Sequence, residues 1–155
     1  VCLKNNSASD RENAASTEKK VLAGLREMSM ELPVPGILES PFGVFESKIF
    51  SYKKQKIEEK KYTKWFDYDK IKNSPCVRTR RQGDYLTVNS EGGKKKLNRI
   101  FIDEKIPAEM RDRLPVVAAG SEILWIPGGR MNEKYKITST TGRVLELHYQ
   151  GGALA

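Results

Sequence analysis

Histidine and cysteine are nearly absent from this chain, which carries one of the former and two of the latter in 155 residues. Cys2 and Cys76 are too few for a disulfide framework and lie far apart, which suits a reducing compartment, and neither suggests a metal site. The single histidine, His148, sits in Val144–Leu145–Glu146–Leu147–His148–Tyr149, where Leu145, Leu147 and Tyr149 alternate with polar positions. That alternation predicts a strand with His148 on its solvent face rather than at a catalytic position. Long apolar runs are missing too. None approaches the ~20 residues a membrane span needs, the start has no signal-peptide pattern, and the expected location is the cytoplasm.

Acidic residues are also in short supply. There are 20 against 28 lysines and arginines, leaving a formal net charge of +8. The excess is unevenly spread. From Cys76 to Phe101, Arg78, Arg80, Arg81, Arg99, Lys94, Lys95 and Lys96 face only Asp84 and Glu91. A second cluster, Lys53, Lys54, Lys56, Lys60, Lys61 and Lys64, faces Glu58 and Glu59. The richest stretch begins at Lys94–Lys95–Lys96 and runs to Pro115. There Leu97, Ile100 and Phe101 recur at i, i+3 and i+4, predicting a helix that buries one face and leaves its cations in water. A cationic face on a fixed scaffold is what a phosphate backbone binds, and each contact releases a counterion. The alternative is an ordinary solvated basic surface.

The length allows one ordinary domain or two small ones sharing a core. A polar lead from Asn5 to Ser16 precedes an apolar stripe of Val21, Leu22, Leu25 and Met28, predicting a helix from Glu18 to about Met30 with Ser16 or Thr17 as cap. Leu32–Pro33–Val34–Pro35–Gly36 stops it. Gly43 to Tyr52 reads as strand and Lys53 to Lys64 as a solvated loop, after which Trp65, Phe66, Tyr68 and Ile71 return to a core. A turn at Gln82–Gly83–Asp84 leads to a strand at Tyr85–Val88. Gly92–Gly93 then leads into the basic helix, and Pro107 opens a second short helix through Arg113. Strands are expected at Val116–Val117, Ile123–Ile126, Tyr135–Thr138 and Val144–Tyr149, with turns at Pro127–Gly128–Gly129 and Thr141–Gly142. The resulting division is 1–31 polar lead and helix, 32–75 first β-rich segment, 76–150 second β-rich segment, and 151–155 tail. Pattern alone gives a mixed, mostly β fold.

Several motifs in one order carry a resemblance. They are Val77–Arg78–Thr79–Arg80–Arg81–Gln82–Gly83–Asp84, then Lys95–Lys96–Leu97 leading to Phe101–Ile102–Asp103–Glu104–Lys105–Ile106–Pro107. Arg111–Asp112–Arg113–Leu114–Pro115 and Ile123–Leu124–Trp125–Ile126–Pro127–Gly128–Gly129–Arg130 follow. Together they resemble the C-terminal region of the tRNA(Ile)-lysidine synthetase family over about half the chain, from Val77 to Thr138. Val34–Pro35–Gly36 and Phe66–Asp67–Tyr68–Asp69 suit the family's middle segment more weakly, and Asn132 stands where the family would have serine. The resemblance implies an α+β fold, mostly β, with sandwich-like sheets and short helices, a domain type shared with the β subunit of phenylalanyl-tRNA synthetase.

It further implies a parent ligase that uses ATP, with Mg, to join lysine to C2 of the wobble cytidine of a tRNA(Ile). The family builds its ATP cradle from an N-terminal Ser-Gly-Gly-x-Asp-Ser loop, which is lacking here. Gly92–Gly93, Gly128–Gly129 and Gly151–Gly152 lack the following Asp-Ser and read as turns. The expectation is therefore a C-terminal fragment with no catalytic, cofactor or metal residue and no activity alone. By resemblance its task is tRNA binding and selection at the acceptor-stem side, where a duplex is read by shape, phosphate and 2′-hydroxyl contacts. The residues expected to make the contacts are Arg78, Arg80, Arg81, Lys94, Lys95, Lys96, Arg99 and Arg130. Partners are tRNA(Ile) and the N-terminal catalytic domain, with no membrane and with homodimerisation open. Trp125 and Phe101 could stack on a base, but their apolar neighbours favour core packing, and Asp103 and Asp112 read as ion-pair residues. The competing readings are a basic packing module that touches no RNA, and a free-standing enzyme, for which no spacing supplies an acid–base pair.

Overall fold

A computed structural model describes residues 28–58 and 60–151. Two antiparallel-rich sheets stack face to face, and a short helix covers the outer side of one of them, with a second short helix after it. The six-stranded sheet runs β1 (Ser29–Glu31), β5 (Cys76–Arg78), β8 (Val116–Ala119), β9 (Glu122–Trp125), β6 (Tyr85–Thr87) and β7 (Lys94–Lys96). The four-stranded sheet runs β2 (Gly36–Ser40), β3 (Gly43–Ser51), β10 (Arg143–Gly151) and β4 (Thr63–Asp67). This is the α+β, mostly β, sandwich-like fold that the resemblance implied.

The strand β8 shows how three layers are built from one short apolar run. All four of its residues are buried. Because side chains alternate across a strand, Val117 and Ala119 enter the core between the sheets, while Val116 and Ala118 enter a second core under the helices. Its hairpin partner β9 follows the same split with Trp125 and Ile123, opposite Val117 and Ala118. One extra residue, Leu124, bulges between them and adds a second side chain to the inter-sheet core. Gly120 turns the hairpin at φ +66, a conformation that costs glycine least. From the opposite sheet Phe45, Phe66, Leu145, Leu147 and Tyr149 meet this face, and the Phe66 ring stands edge-on to Trp125 at 6.4 Å.

The second core is the site's foundation. Helix α1 (Leu97–Asp103) presses Leu97, Ile100 and Phe101 onto Leu86, Val116, Ala118, Ile123 and Ile126. This is the i, i+3, i+4 stripe seen in the sequence. A second helix, α2 (Ala108–Arg111), starts directly after Pro107 and carries Glu109 in its first turn, favourable at the positive end of the helix dipole.

Some expectations need correction. The helix expected from Glu18 to about Met30 falls mainly outside the described residues, but its end is strand, because Met30 pairs with Val77 in β1. Lys94–Lys96 do not belong to the basic helix. They form edge strand β7 against Thr87, Leu86 and Tyr85, and the helix begins at Leu97. Tyr135–Thr138 is not a strand either. Buried Asn132 caps a single 3-10 turn at Glu133–Tyr135, its Oδ1 accepting the Lys134 N–H at 2.9 Å and its Nδ2 donating to the Ile123 carbonyl at 2.8 Å. The segments 32–75 and 76–150 interlock: β10 lies between β3 and β4, and both segments supply the inter-sheet core.

Candidate nucleic-acid interface

A buried ion pair organises the basic edge. Arg78 and Asp84 have side chains only 4% and 2% exposed. Arg78 donates through Nη1 and Nη2 to both Asp84 oxygens at 2.9 Å, and to the carbonyls of Thr79 at 3.0 Å and Gly120 at 2.8 Å. A buried charge is tolerated only with such pairing and hydrogen bonding. Asp84 Oδ2 also accepts the Arg81 backbone N–H at 2.7 Å, and the Asp84 carbonyl accepts the N–H of Leu97 at 2.9 Å. One carboxylate thus fixes the 79–84 turn, and its own residue receives the first N–H of α1. Arg78 is a support of this edge and offers no surface for a ligand.

Arg80 is half-buried. Its Nε donates to Asp112 at 2.9 Å and its Nη1 to Asn98 at 3.0 Å, tying the turn to both helices. Arg81 is exposed on a backbone held by Asp84. Along β7 the three lysines alternate. Lys95 pairs with Leu86, whose side chain lies under α1, so it points to the helix side, and Lys94 and Lys96 point the other way. Lys94 Nζ stands 5.3 Å from the Tyr85 ring centroid, and Lys96 is exposed.

On the helix side, Lys95 and Arg99 converge on the Asp103 carboxylate, with Arg99 Nε at 3.1 Å. The hydrogen bond from Lys95 holds the Asp103 carboxyl below the usual range, helped by the charges of Arg99, Lys95 and Arg130. Arg130 Nε lies 3.9 Å from Glu104. The eight arginines and lysines named from the sequence therefore do not form one face. Lys95, Arg99 and Arg130 gather near Asp103, Lys94 and Lys96 occupy the other side of the edge strand, Arg80 and Arg81 stand on the turn, and Arg78 is inside.

The remaining chemistry-bearing residues fall elsewhere. Trp125 and Phe101 are 0% and 1% exposed, so neither is available to a base. Asp112 is engaged by Arg80. His148 is exposed on the outer sheet face, its Nδ1 2.7 Å from Thr63 Oγ1. Among the described residues, no three of histidine, cysteine, aspartate and glutamate group as metal ligands would. Among the described glycines of these pairs, the N–H groups of Gly92 and Gly93 donate to Asn89 and that of Gly129 to the Ile126 carbonyl, so these three are not free to cradle a phosphate. These residues do not fit an ATP site.

Sequence reasoning missed one juxtaposition. Lys56 and Lys60 of the lysine-rich loop line a cleft of about 510 Å³ with Arg130, Lys136, Trp65 and Lys64, the last of which lies in β4 and not in the loop expected for it. The loop residues lie about 70 positions from Arg130, and no local pattern relates them. Tyr62 makes the link: its ring covers Gly128, where an added Cβ would come within 2.9 Å, and its carbonyl accepts the Tyr149 N–H at 2.9 Å.

Comparison with known proteins agrees with this architecture. A solved structure described as the crystal structure of the TilS C-terminal domain superposes with a TM-score of 0.67 at 34% identity, over 80% of this chain and 96% of that one. The protein is thus a C-terminal domain of the kind carried by lysidine synthases. The tRNA(Ile)-lysidine synthase of Caldanaerobacter subterraneus subsp. tengcongensis is 50% identical over 88 residues, 57% of this chain and 19% of that protein. That of Geobacillus kaustophilus is 38% identical over 123 residues, 77% of this chain and 26% of that protein. The TilS substrate C-terminal domain model matches residues 76–147, and together with the 34% identical solved domain, covered over 96% of its length, this shows that the chain belongs to that family. It spans between about a fifth and a quarter of the length of these relatives.

Proposed function

We propose that this chain is the tRNA-recognition region of a tRNA(Ile)-lysidine synthase and binds the acceptor-stem side of the tRNA through its basic edge. The observation that carries the reading is the set of cations gathered around α1 and β7, where Asp103 holds Lys95 and Arg99 and the Arg78–Asp84 pair fixes the turn that carries Arg80 and Arg81. Arg81, Lys94, Lys96, Arg99 and Arg130 are exposed there, and Arg80 and Lys95 stand beside them in ion pairs that a phosphate can compete for. Duplex RNA offers phosphates and 2′-hydroxyls across a shallow groove, for which such donors suffice. In the complete enzyme, ATP with Mg and the chemistry at the wobble cytidine belong to an N-terminal domain, and this chain alone turns over no ATP. The names of the relatives and the family match support the reading.

The test is binding of this chain to isoleucine tRNA, methionine tRNA and a bare RNA duplex across a salt series. Selective binding to the isoleucine tRNA with a steep salt slope is expected. Charge reversal at Lys94, Lys95, Lys96 and Arg99 should weaken it and flatten the slope by roughly 0.7–0.9 for each phosphate that is no longer neutralised. Unchanged affinity in that variant would sink the reading.

A further inference from the structure

The cleft beside Arg130 has a chemistry that the basic edge lacks. Its volume, about 510 Å³, lies in the range of small-molecule sites and is far too small for a duplex. Its lining joins an aromatic platform to cations: Trp65 with Lys56, Lys60, Lys136 and Arg130. Trp65 is only half-buried, and two contacts hold its indole: Nε1 donates to Glu146 at 2.9 Å, and the Phe50 ring stands at 74° to it with centroids 5.0 Å apart. Two of the cleft's carboxylates are already occupied, Glu146 by that indole and Glu133 by Lys136 at 2.7 Å. Lys56 and Lys60 extend from an exposed loop.

Continuity with the edge decides what such a cleft would receive. Arg130 is a wall of the cleft, and its Nε lies 3.9 Å from Glu104, the residue next to Asp103, where Lys95 and Arg99 meet. A phosphate chain followed over Arg99 and Lys95 therefore meets Arg130 next and then the cleft. A held aromatic ring beside backbone-tracking cations is the arrangement that captures an unstacked base of single-stranded nucleic acid.

We propose that this cleft binds one unpaired nucleotide at the end of an RNA strand whose duplex lies along the α1–β7 edge. The proposal rests on the RNA-binding reading above. Phosphate would be held by Lys56, Lys60 and Arg130, and the base would lie against Trp65.

The experiment uses the 155-residue chain and one RNA hairpin stem in three forms: blunt, with a short 3′ overhang, and with a short 5′ overhang. Affinity and tryptophan fluorescence are followed together. Trp125, the other tryptophan, is 0% exposed, so quenching by a stacked base reports Trp65. One overhang should bind about 5- to 150-fold tighter than the blunt stem, the worth of stacking one base, and should quench the emission. Trp65→Leu should abolish that increment and leave blunt-stem affinity unchanged. Should that variant fold poorly, Lys56→Glu with Lys60→Glu, at exposed loop positions, should remove the same increment. Equal affinity for all three hairpins, still salt-dependent, would overturn the cleft and leave the edge intact. Failure of every hairpin to bind at low salt would remove the edge reading and the cleft together.

Discussion

Replacing Asp84 by alanine gives the sharpest test of how this domain is assembled. In the native protein the Arg78 guanidinium has four hydrogen bonds, two of them to Asp84, and its side chain is 4% exposed. The alanine variant keeps only the Thr79 and Gly120 carbonyls as acceptors. A buried cation is left without a counter-charge, and breaking a buried pair from one side costs about 3–5 kcal/mol. The Arg81 N–H also loses its acceptor. At this chain length, about 2–4 °C of melting temperature per kcal/mol translates the loss to roughly 6–20 °C. Urea unfolding followed by circular dichroism would measure it, with Arg78→Met, Asp84→Leu and their combination closing a double-mutant cycle. The double variant should recover much of the loss, since replacing a buried pair by apolar groups is often neutral or better. An Asp84→Ala protein within about 0.5 kcal/mol of the parent, the usual range of surface substitutions, would refute the claim that this pair supports the edge.

Three further outcomes follow from geometry. Asp103 is held ionised by Lys95, Arg99 and Arg130, so its folded pKa is depressed; the stability it contributes is present above its ordinary value of 3.8 and is lost only as pH falls through the lower folded value. Carboxyl NMR should show Asp103 titrating below 3.8, and titration at or above that value would contradict the ion-pair geometry. Tyr135 is buried and donates to Glu122 at 2.6 Å, which pushes its phenol far above the usual range. Its share of stability is therefore complete at neutral pH and lost only in strong alkali, and Tyr135→Phe should cost about 1–3 kcal/mol in urea unfolding. Gly128→Ala should cost about 1–3 kcal/mol, because Gly128 sits at φ +81 with Tyr62 within 2.9 Å of an added Cβ. It should also shift the NMR signals of Tyr62 and the neighbouring lysine loop; unmoved signals would show that the loop is positioned by something else.

The legible parts of this fold are those with their own period. The α1 stripe and the alternation of β10 are readable because each buries one face, and the strand at Gly43–Ser51 is rich in aromatic and β-branched residues. Lys94–Lys96 reads as helix in the sequence because three lysines have no apolar face to declare a period; pairing with β6 decides their conformation. Tyr135 reads as strand, yet its position is set by the Asn132 cap and by Glu122 on β9. The candidate site is legible in composition and obscure in arrangement. Arg78 reads from the sequence as a surface cation; its burial depends on Gly120 and the 79–84 turn closing over it. Likewise Arg80 takes Asp112, a partner set in place where α2 ends.

The position of β10 sets the order in which this chain can fold. It is an inner strand, paired along its length with β3, yet its partners are made much earlier: Ser51 pairs with Arg143, 92 positions later, and Gly43 with Gly151, 108 positions later. Closing so long a loop is entropically costly before any contact rewards it. On a ribosome, β2, β3 and β4 must therefore wait with their apolar faces uncovered while the strands and helices between them emerge. The last of the described strands is the one that joins β4 to β2 and β3, so completion of the sheet reports that the whole basic edge has already been synthesised.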